Sequence, residues 1–187
     1  MKGLSSNLVE LKSIEDAQLT EIHKIQNSDA CLELSEFLDL ESPWIPLTIS
    51  QLKSKIEEMQ KEERKSLFGI WSRGNEFLGL VSYDTSWDTW APFFSVFIWP
   101  QHRRKGWGSA AAKMILEGTF EQSIAHAVGS YVSEWNTVGL AFAESLGFKK
   151  AGIKRRAGVL EGRFYDGMFI DMLRDEYLAS RSKEAGR

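Results

Sequence analysis

The sequence predicts a single α/β domain with a central mixed, mostly antiparallel sheet flanked by about four helices. The chain has 187 residues, which is long enough for one domain to bury a core without disulfide or metal staples. Apolar residues make up 43% and charged residues 26%, a composition typical of a globular protein. Strand-like runs come first and then alternate with helical patterns, an order that places helices on the faces of a sheet.

The first half of the chain predicts a strand, a helix and then a strand meander. A loop-rich acidic stretch between two helices contains Pro43 and Pro46, which break any helix. The Gly74-Asn75 pair supplies the positive φ that a tight hairpin turn needs. The predicted elements are a strand at 8–11, a helix at 14–26, a helix from about Ser50, and strands at 66–71, 77–83 and 93–99.

The second half of the chain predicts helices and strands in alternation, with Gly147 as a helix stop. No linker, repeat or low-complexity segment interrupts the pattern, so we predict one domain over 1–187 with its core at about 7–178. The polar tail 179–187 is expected to fray. The predicted elements are a helix at 107–120, a strand at 125–133, a helix at 136–146, and strands from 148 onward and at 163–173.

Composition and charge exclude several classes of protein. Cys31 is the only cysteine and no histidines have metal-ligand spacing, so we expect a reducing compartment and no metal. The start of the chain has no signal pattern and no apolar run could span a bilayer, which predicts a soluble, cytoplasmic protein that does not bind membranes. The net charge of −3 and the shortness of the one basic loop argue against nucleic-acid binding.

The most informative segment, 94–111, combines an apolar strand, a basic loop with two glycines and the start of a helix. The first turn of a helix has N–H groups without intrahelical acceptors, and glycines let backbone amides approach phosphate oxygens closely. Three consecutive basic residues, 103–105, add full positive charge. The segment therefore predicts an anion-binding cradle. A Rossmann site is disfavoured because Ala111 replaces its third glycine, and a P-loop is excluded because no G-K-[ST] occurs.

Several motifs together resemble the GNAT superfamily of N-acetyltransferases. Arg103-x-x-Gly106-x-Gly108 is similar to its pyrophosphate loop, between the fourth strand and the third helix. Asn136, followed by Leu146-Gly147-Phe148, is similar to another family segment. The stretch 165–176 resembles the ending of the ribosomal-protein N-terminal (alanine) acetyltransferase branch.

The resemblance implies the GNAT-like acyl-CoA N-acyltransferase fold and acetyl-CoA as the acetyl donor. It also implies backbone hydrogen bonds from a strand to the pantetheine arm, an oxyanion-stabilising amide near Val96, and a bond from Asn136 to the pantetheine or a nearby water. The implied donor-binding residues are Ser95, Val96, Phe97, Ile98, Arg103, Arg104, Lys105, Gly106, Trp107, Gly108, Ser109 and Asn136.

The sequence departs from the family where proton transfer is usually assigned. Ala143, Gly139 and Ala151 stand where the family commonly has tyrosine, serine and glutamate. The catalytic candidates that remain are Asn136 and Glu134, the latter as a proton relay through water, with Ser145, Tyr131 or an acceptor-side carboxylate as alternatives. Catalysis could also depend mainly on positioning.

A run of carboxylates without Lys or Arg between Lys24 and Lys53 suggests the acceptor side, because it would attract a cationic amine. An ordinary acidic, solvated helix and loop is the alternative interpretation. Tryptophans in the predicted loops could line the acceptor-binding cleft, or could instead anchor the loops to the core or to a dimer interface. The candidate acceptor-binding residues are Glu33, Glu36, Glu41, Trp44 and Trp87.

Taken together, these patterns predict an acetyl-CoA-dependent N-acetyltransferase that acetylates a primary amine by direct attack in a ternary complex. The branch resemblance favours a protein N-terminal amine as acceptor. The alternatives are a small cationic amine, such as a polyamine or aminoglycoside, and a catalytically weak acetyl-CoA-binding module. An unrelated phosphate-binding α/β protein is a third class. Members of the family often form homodimers, so a second copy of the chain is a candidate partner.

Overall fold

The computed structural model describes residues 5–40 and 45–185, the last three of these as backbone alone. A short 3₁₀ helix at Pro100–His102 follows the fourth strand. In chain order the elements are β1 Val9–Lys12, α1 Asp16–Gln26, α2 Cys31–Phe37, α3 Ile49–Lys61, β2 Lys65–Ser72, β3 Phe77–Asp84, β4 Phe93–Ile98, α4 Trp107–Gln122, β5 Ala127–Ser133, α5 Thr137–Leu146, β6 Lys149–Leu160, β7 Arg163–Leu173 and α6 Arg174–Ala185.

The seven strands form one mixed sheet in the order β1-β2-β3-β4-β5-β7-β6. The pairs β1–β2, β2–β3, β5–β7 and β6–β7 are antiparallel, and β4 pairs with β5 in parallel at Phe93 and Gly129. The predicted mixed, mostly antiparallel sheet is therefore confirmed. The described part of the chain contains six helices rather than the four or so expected.

The chain divides into two compact units, 1–84 with 95–114, and 85–94 with 115–187. Both β4 and α4 begin in one unit and end in the other. The single domain expected from the sequence stays a prediction. No described helix has the length and apolar character needed to cross a membrane.

The first unit packs α1, α2 and α3 around an apolar core on β2, β3 and β4. Leu19 and Ile22 of α1 are buried, as the helical spacing predicts. The buried members of this core are Ile14, Leu19, Ile22, Ile25, Ala30, Leu34, Leu38, Leu52, Ile56, Leu67, Phe77, Leu80, Phe97 and Trp99. At the β2–β3 turn Asn75 has a φ of 63°, in agreement with the predicted tight turn.

Helix α2 corrects the sequence prediction, because 31–37 was assigned to a loop-rich acidic stretch. Leu34 and Leu38 are fully buried and lie four residues apart, so they share one face of the helix. The two prolines lie further along the chain and do not oppose a helix here. The high acidic content concealed a short amphipathic pattern that the core stabilises.

The second unit is built on β5, β7 and β6, with Phe148 and Ile170 buried in its core. Helix α6 corrects the prediction of a polar, frayed tail. The guanidinium of Arg174 donates to the backbone oxygens of Phe120, Ser123 and Ala125, and Tyr177 stacks on Phe120 with ring centroids 4.8 Å apart. These contacts fix the start of the helix, which continues to Ala185 despite its polar sequence.

Candidate donor-binding site

The connection from β4 to α4 is held at its start by the core. Trp99 is fully buried, and its backbone N–H donates to the carbonyl of Leu78 at 2.9 Å. The N–H groups of His102 and Arg103 then donate to the carbonyls of Trp99 and Pro100, which closes the 3₁₀ turn. The chain therefore leaves the sheet along a fixed path before the loop begins.

The loop and the first turn of α4 present a series of unpaired backbone donors. The first helical bond runs from the N–H of Ala110 to the carbonyl of Gly106 at 3.0 Å. None of the six backbone N–H groups from 104 to 109 donates to a group elsewhere in 5–40 or 45–185. Six consecutive free donors at a helix N-terminus form a strong anion-binding arrangement.

The conformation of the loop keeps this arrangement open. Arg104 and Gly106 both adopt left-handed backbone conformations, with φ of 60° and 83°. A Cβ added at Gly106 would meet no heavy atom within 4 Å, so the space beside this amide is free. Arg104 and Lys105 are exposed, and their positive charges lie on the same loop. These residues fit a pyrophosphate group, which needs both backbone donors and cations.

Arg103, the first residue of the loop motif, is already engaged within the first unit. Its Nε donates to the carbonyl of Ile98 at 3.0 Å, its guanidinium forms an ion pair with Glu33 of α2, and its Cζ lies 5.6 Å from the ring centroid of Phe97. The structure thus joins two residues that the sequence assigned to different ligands, one to the donor and one to the acceptor.

The strand that precedes the loop lies unusually close to β3. A Cβ at Gly79 would collide with the carbonyl oxygen of Phe97 and lie 2.9 Å from the Cα of Ile98. Glycine at this position therefore permits the close approach of the two strands. Strand β4 pairs with β5 at Phe93, which comes before the predicted pantetheine-binding residues Ser95, Val96, Phe97 and Ile98.

A titratable cluster lies beside the 3₁₀ turn. Only 11% of the His102 side chain is exposed, and its Nε2 lies 3.6 Å from a carboxylate oxygen of Glu76. Burial raises the pKa of the Glu21 carboxyl, and electrostatic interactions with His102 and Lys24 oppose part of that shift. No group of three His, Cys, Asp or Glu side chains within the described residues could hold a metal ion.

Asn136 and Glu134 lie in the second unit. The Asn136 side-chain oxygen accepts a bond from the N–H of Gly139 at 2.9 Å and so caps α5. A Cβ at Gly139 would lie 2.9 Å from that same oxygen, which explains why a residue with a side chain fits poorly there. Glu134 is exposed, and its backbone N–H donates to the carbonyl of Asp166. The cap fixes the position of Asn136 and leaves Glu134 open to water.

Of the predicted acceptor residues, Glu33, Glu36 and Trp87 lie within the described part of the chain. Glu33 is paired with Arg103, and Glu36 lies on the same helix. Glu41 and Trp44 lie outside the described residues. Trp87 belongs to the second unit and is 92% exposed, so its ring anchors no loop to a core.

Comparison with known proteins identifies the family. Residues 9–149 match the family model described as an acetyltransferase (GNAT) domain, which covers most of the chain. The chain belongs to this GNAT acetyltransferase family. A curated relative, the SPbeta prophage-derived uncharacterized N-acetyltransferase YokL of Bacillus subtilis, is 24% identical over 142 residues, which are 74% of this chain and 78% of that protein.

Solved structures share the fold of this GNAT acetyltransferase. The spermidine N-acetyltransferase from Vibrio cholerae, determined in complex with CoA and spermine, has a TM-score of 0.76 and 20% identity; the match covers 92% of this chain and 99% of that one. A probable GNAT-family acetyltransferase from Chromobacterium violaceum also has a TM-score of 0.76, with 19% identity over 93% of this chain and 87% of that one. At such identities the likeness shows the fold alone.

Sequence reasoning missed the contact between Arg103 and Glu33. The two residues are 70 positions apart, and nothing in the local pattern of either one indicates the other. The signal that could have indicated this contact was the place of Arg103 in the loop motif together with the carboxylate of Glu33 on a nearby helix. Without the helix α2 in the prediction, that carboxylate had no defined place.

Proposed function

We propose that this GNAT acetyltransferase uses acetyl-CoA to acetylate a primary amine by direct attack in a ternary complex. The observation that carries the proposal is the row of six unpaired backbone N–H groups from 104 to 109. These groups, with the charges of Arg104 and Lys105, suit the pyrophosphate of CoA. The match to the GNAT family model supports the same donor.

In this proposal the strand before the loop binds the rest of the donor. Backbone groups of Ser95 to Ile98 hydrogen-bond the amides of the pantetheine arm, and the loop holds the pyrophosphate. Bound acetyl-CoA would supply an activated thioester: a C–N bond to the amine would form as the C–S bond breaks, and CoA would leave as a thiolate that takes a proton from water. The N–H of Val96 stabilises the negative charge that develops on the carbonyl oxygen.

The chain's own residues must also remove a proton from the acceptor. We propose that exposed Glu134 relays this proton through water, since its carboxylate is open to solvent. We assign Asn136 a bond to the pantetheine or a water near it, in a position fixed by its capping of α5. Because Ala143 and Gly139 replace the family's usual hydroxyl groups, positioning of the reactants would supply a large part of the rate enhancement.

For the acceptor we propose a cationic primary amine of the polyamine class. The exposed carboxylates Asp29 and Asp39 keep the region around α2 acidic even though Glu33 is neutralised by Arg103. Similarity to spermidine N-acetyltransferases agrees with this class. The second candidate acceptor is a protein N-terminal amine, which the resemblance of residues 165–176 to the ribosomal-protein branch favours.

Two measurements test the proposal. Calorimetric titration should show micromolar binding of acetyl-CoA, about −8 kcal/mol, with no comparable binding of NADH or ATP. Release of free CoA thiol should then be measured with spermidine, spermine, an aminoglycoside and short peptides as acceptors. Turnover with polyamines supports the proposed acceptor, and turnover with peptides alone replaces it by the second candidate.

Two further outcomes are informative. Binding of acetyl-CoA without turnover on any amine would indicate a catalytically weak binding module instead of an enzyme. Absence of acetyl-CoA binding by the folded protein would contradict the proposed function as a whole. A cytoplasmic location and a homodimer stay predictions, and the second can be checked by light scattering of the purified protein.

A further inference from the structure

We call the segment 103–106, between the 3₁₀ turn and α4, the donor-binding loop. We propose that Arg103 is a positioning residue that ties this loop to helix α2 through Glu33, and not a ligand of the pyrophosphate. The inference rests on the proposed function, since it assumes that the loop binds acetyl-CoA. It concerns how the loop is held and assigns Glu33 to the donor side of the reaction instead of to the acceptor.

Arg103 makes three contacts, one through Nε, one through Nη2 and one through the face of its guanidinium. Nε donates to the carbonyl of Ile98, the last residue of β4, and the guanidinium forms its ion pair with Glu33. The guanidinium also lies over the ring of Phe97 at 5.6 Å from its centroid. The side chains of Arg103 and Glu33 are only 30% and 27% exposed, so water screens the pair less than it screens an ordinary surface pair.

The next two basic residues differ from Arg103 in every one of these respects. Arg104 and Lys105 are exposed, and within the described residues neither side chain has an ion-pair partner. Their charges can therefore turn toward an anion without breaking an existing contact. Arg103 already directs its Nε to Ile98 and its Nη2 to Glu33, so turning the guanidinium toward an anion would break these contacts.

The position of the pair explains what it does for the loop. The bond to Ile98 joins the loop to the end of β4, and the bond to Glu33 joins it to α2, so the loop is fixed at both sides before the six free amides begin. Arg103 also neutralises a carboxylate that contacts the first residue of the loop motif. Loss of Arg103 would leave that carboxylate uncompensated and repulsive to the donor.

The two roles predict opposite results for Glu33→Gln. If Arg103 positions the loop, loss of the carboxylate removes one anchor and weakens acetyl-CoA binding. If Arg103 is a phosphate ligand, the same change frees its guanidinium and leaves binding equal or tighter. A double-mutant cycle on Glu33→Gln and Arg103→Gln separates the two roles because each substitution is tested with and without its partner.

The experiment measures the Kd for acetyl-CoA of the wild type, both single variants and the double variant by calorimetry. We expect Kd to rise about fivefold in Glu33→Gln and about tenfold in Arg103→Gln, while the double variant binds no more weakly than Arg103→Gln. Glu58→Gln, the same change on the exposed face of α3, is the matched control and should leave Kd unchanged. Arg103→Lys should recover only part of the affinity, because an ammonium cannot span both acceptors.

The inference is overturned if Glu33→Gln binds acetyl-CoA as tightly as the wild type or more tightly, and if Arg103→Gln weakens binding equally in the wild type and in Glu33→Gln. Arg103 would then be a phosphate ligand. Hydrogen exchange without any ligand tests the positioning role independently. The amides of His102 and Arg103, which close the 3₁₀ turn, should exchange faster in Glu33→Gln than in the wild type. Unchanged exchange contradicts the positioning role, even if the wild type fails to bind acetyl-CoA and the proposed function falls.

Discussion

Two segments of this protein carry three consecutive basic residues, and only one of them has the backbone of an anion site. The donor-binding loop contains 103–105, and the β6–β7 hairpin contains 154–156. Each run includes an arginine in the left-handed conformation, Arg104 with φ 60° and Arg156 with φ 51°. Each run is also followed closely by a glycine. By charge and local conformation the two segments are near equivalents.

The difference lies in what the backbone amides already bind. The N–H of Arg156 donates to the Asp166 side chain at 2.8 Å, and the space above Gly158 is filled by the ring of Tyr165. In the loop, by contrast, the amides from 104 to 109 are unpaired and a helix begins at Trp107. The comparison teaches that clustered cations provide only attraction, whereas backbone N–H groups without acceptors add donors that an anion can use.

We expect the largest difference between the two segments, in the Kd for acetyl-CoA, when a carboxylate is placed beside the unpaired loop amides. Gly106→Glu should raise the Kd for acetyl-CoA about 100-fold, because its charge and bulk oppose a pyrophosphate at the free N–H groups. Calorimetric titration of the purified variant measures this change.

The hairpin turn offers a control with the same backbone cost. Gly162 has φ 76° against 83° for Gly106, and an added Cβ meets nothing within 4 Å at either position. Gly162→Glu should therefore share the strain of about 1 kcal/mol and leave the Kd unchanged. Similar losses of affinity in the two variants would show that strain, and not the lost cradle, causes the effect.

A second comparison concerns how rigid the surroundings of a glycine are. Gly79→Ala should lower the free energy of unfolding by about 2 kcal/mol, because the new methyl group collides with the backbone of Phe97 and Ile98. Gly158→Ala should lower it by less than about 1 kcal/mol, because its neighbour is the end of the Tyr165 side chain, which can turn away. Urea denaturation of both variants measures the difference, and equal losses would contradict the close approach of β3 and β4.

Removal of one charge from each run gives a smaller effect. Arg104→Gln should raise the Kd for acetyl-CoA about fivefold and reduce its dependence on salt, because a charge that attracts the pyrophosphate is lost. Arg156→Gln removes an equivalent charge from the hairpin, where the guanidinium lies 5.2 Å from the ring centroid of Phe164, and should leave Kd unchanged. Titrations at two ionic strengths test both variants; a matching shift in Arg156→Gln would assign the hairpin to donor binding.

The smallest effect concerns a carboxyl group near the loop. Burial raises the pKa of Glu21, so its contribution to stability is full below the ordinary carboxyl pKa and falls as pH rises through the raised value. Glu21→Gln should therefore be more stable than the wild type at pH 7, by less than about 1 kcal/mol because water screens this half-buried group, with little difference at pH 4. Glu161→Gln at the exposed hairpin turn should show no such trend. Urea denaturation at both pH values tests this, and an equal difference at pH 4 and pH 7 would exclude the ionisation as its cause.

Much of the fold was predictable because its signals are local. The β7 strand was predicted with its observed ends, and Gly147 ends α5 in the left-handed conformation, φ 98°, that a helix stop requires. The two missed helices lack such signals. Leu34 and Leu38 mark α2 only through their burial in a core that distant strands supply, and α6 depends on bonds from Arg174 to residues about 50 positions away.

The sequence by itself determined the family, through several short motifs along the chain, and also the position of the basic glycine loop and the glycine that ends α5, since each motif depends on residues close together in the chain. Only the tertiary structure decided which of the two basic runs keeps its amides free and which partner occupies Arg103. Both depend on contacts between residues far apart in sequence, such as Arg103 with Glu33. An amide or a guanidinium forms its bonds with whatever acceptor the fold brings within reach, and local sequence does not specify that neighbour.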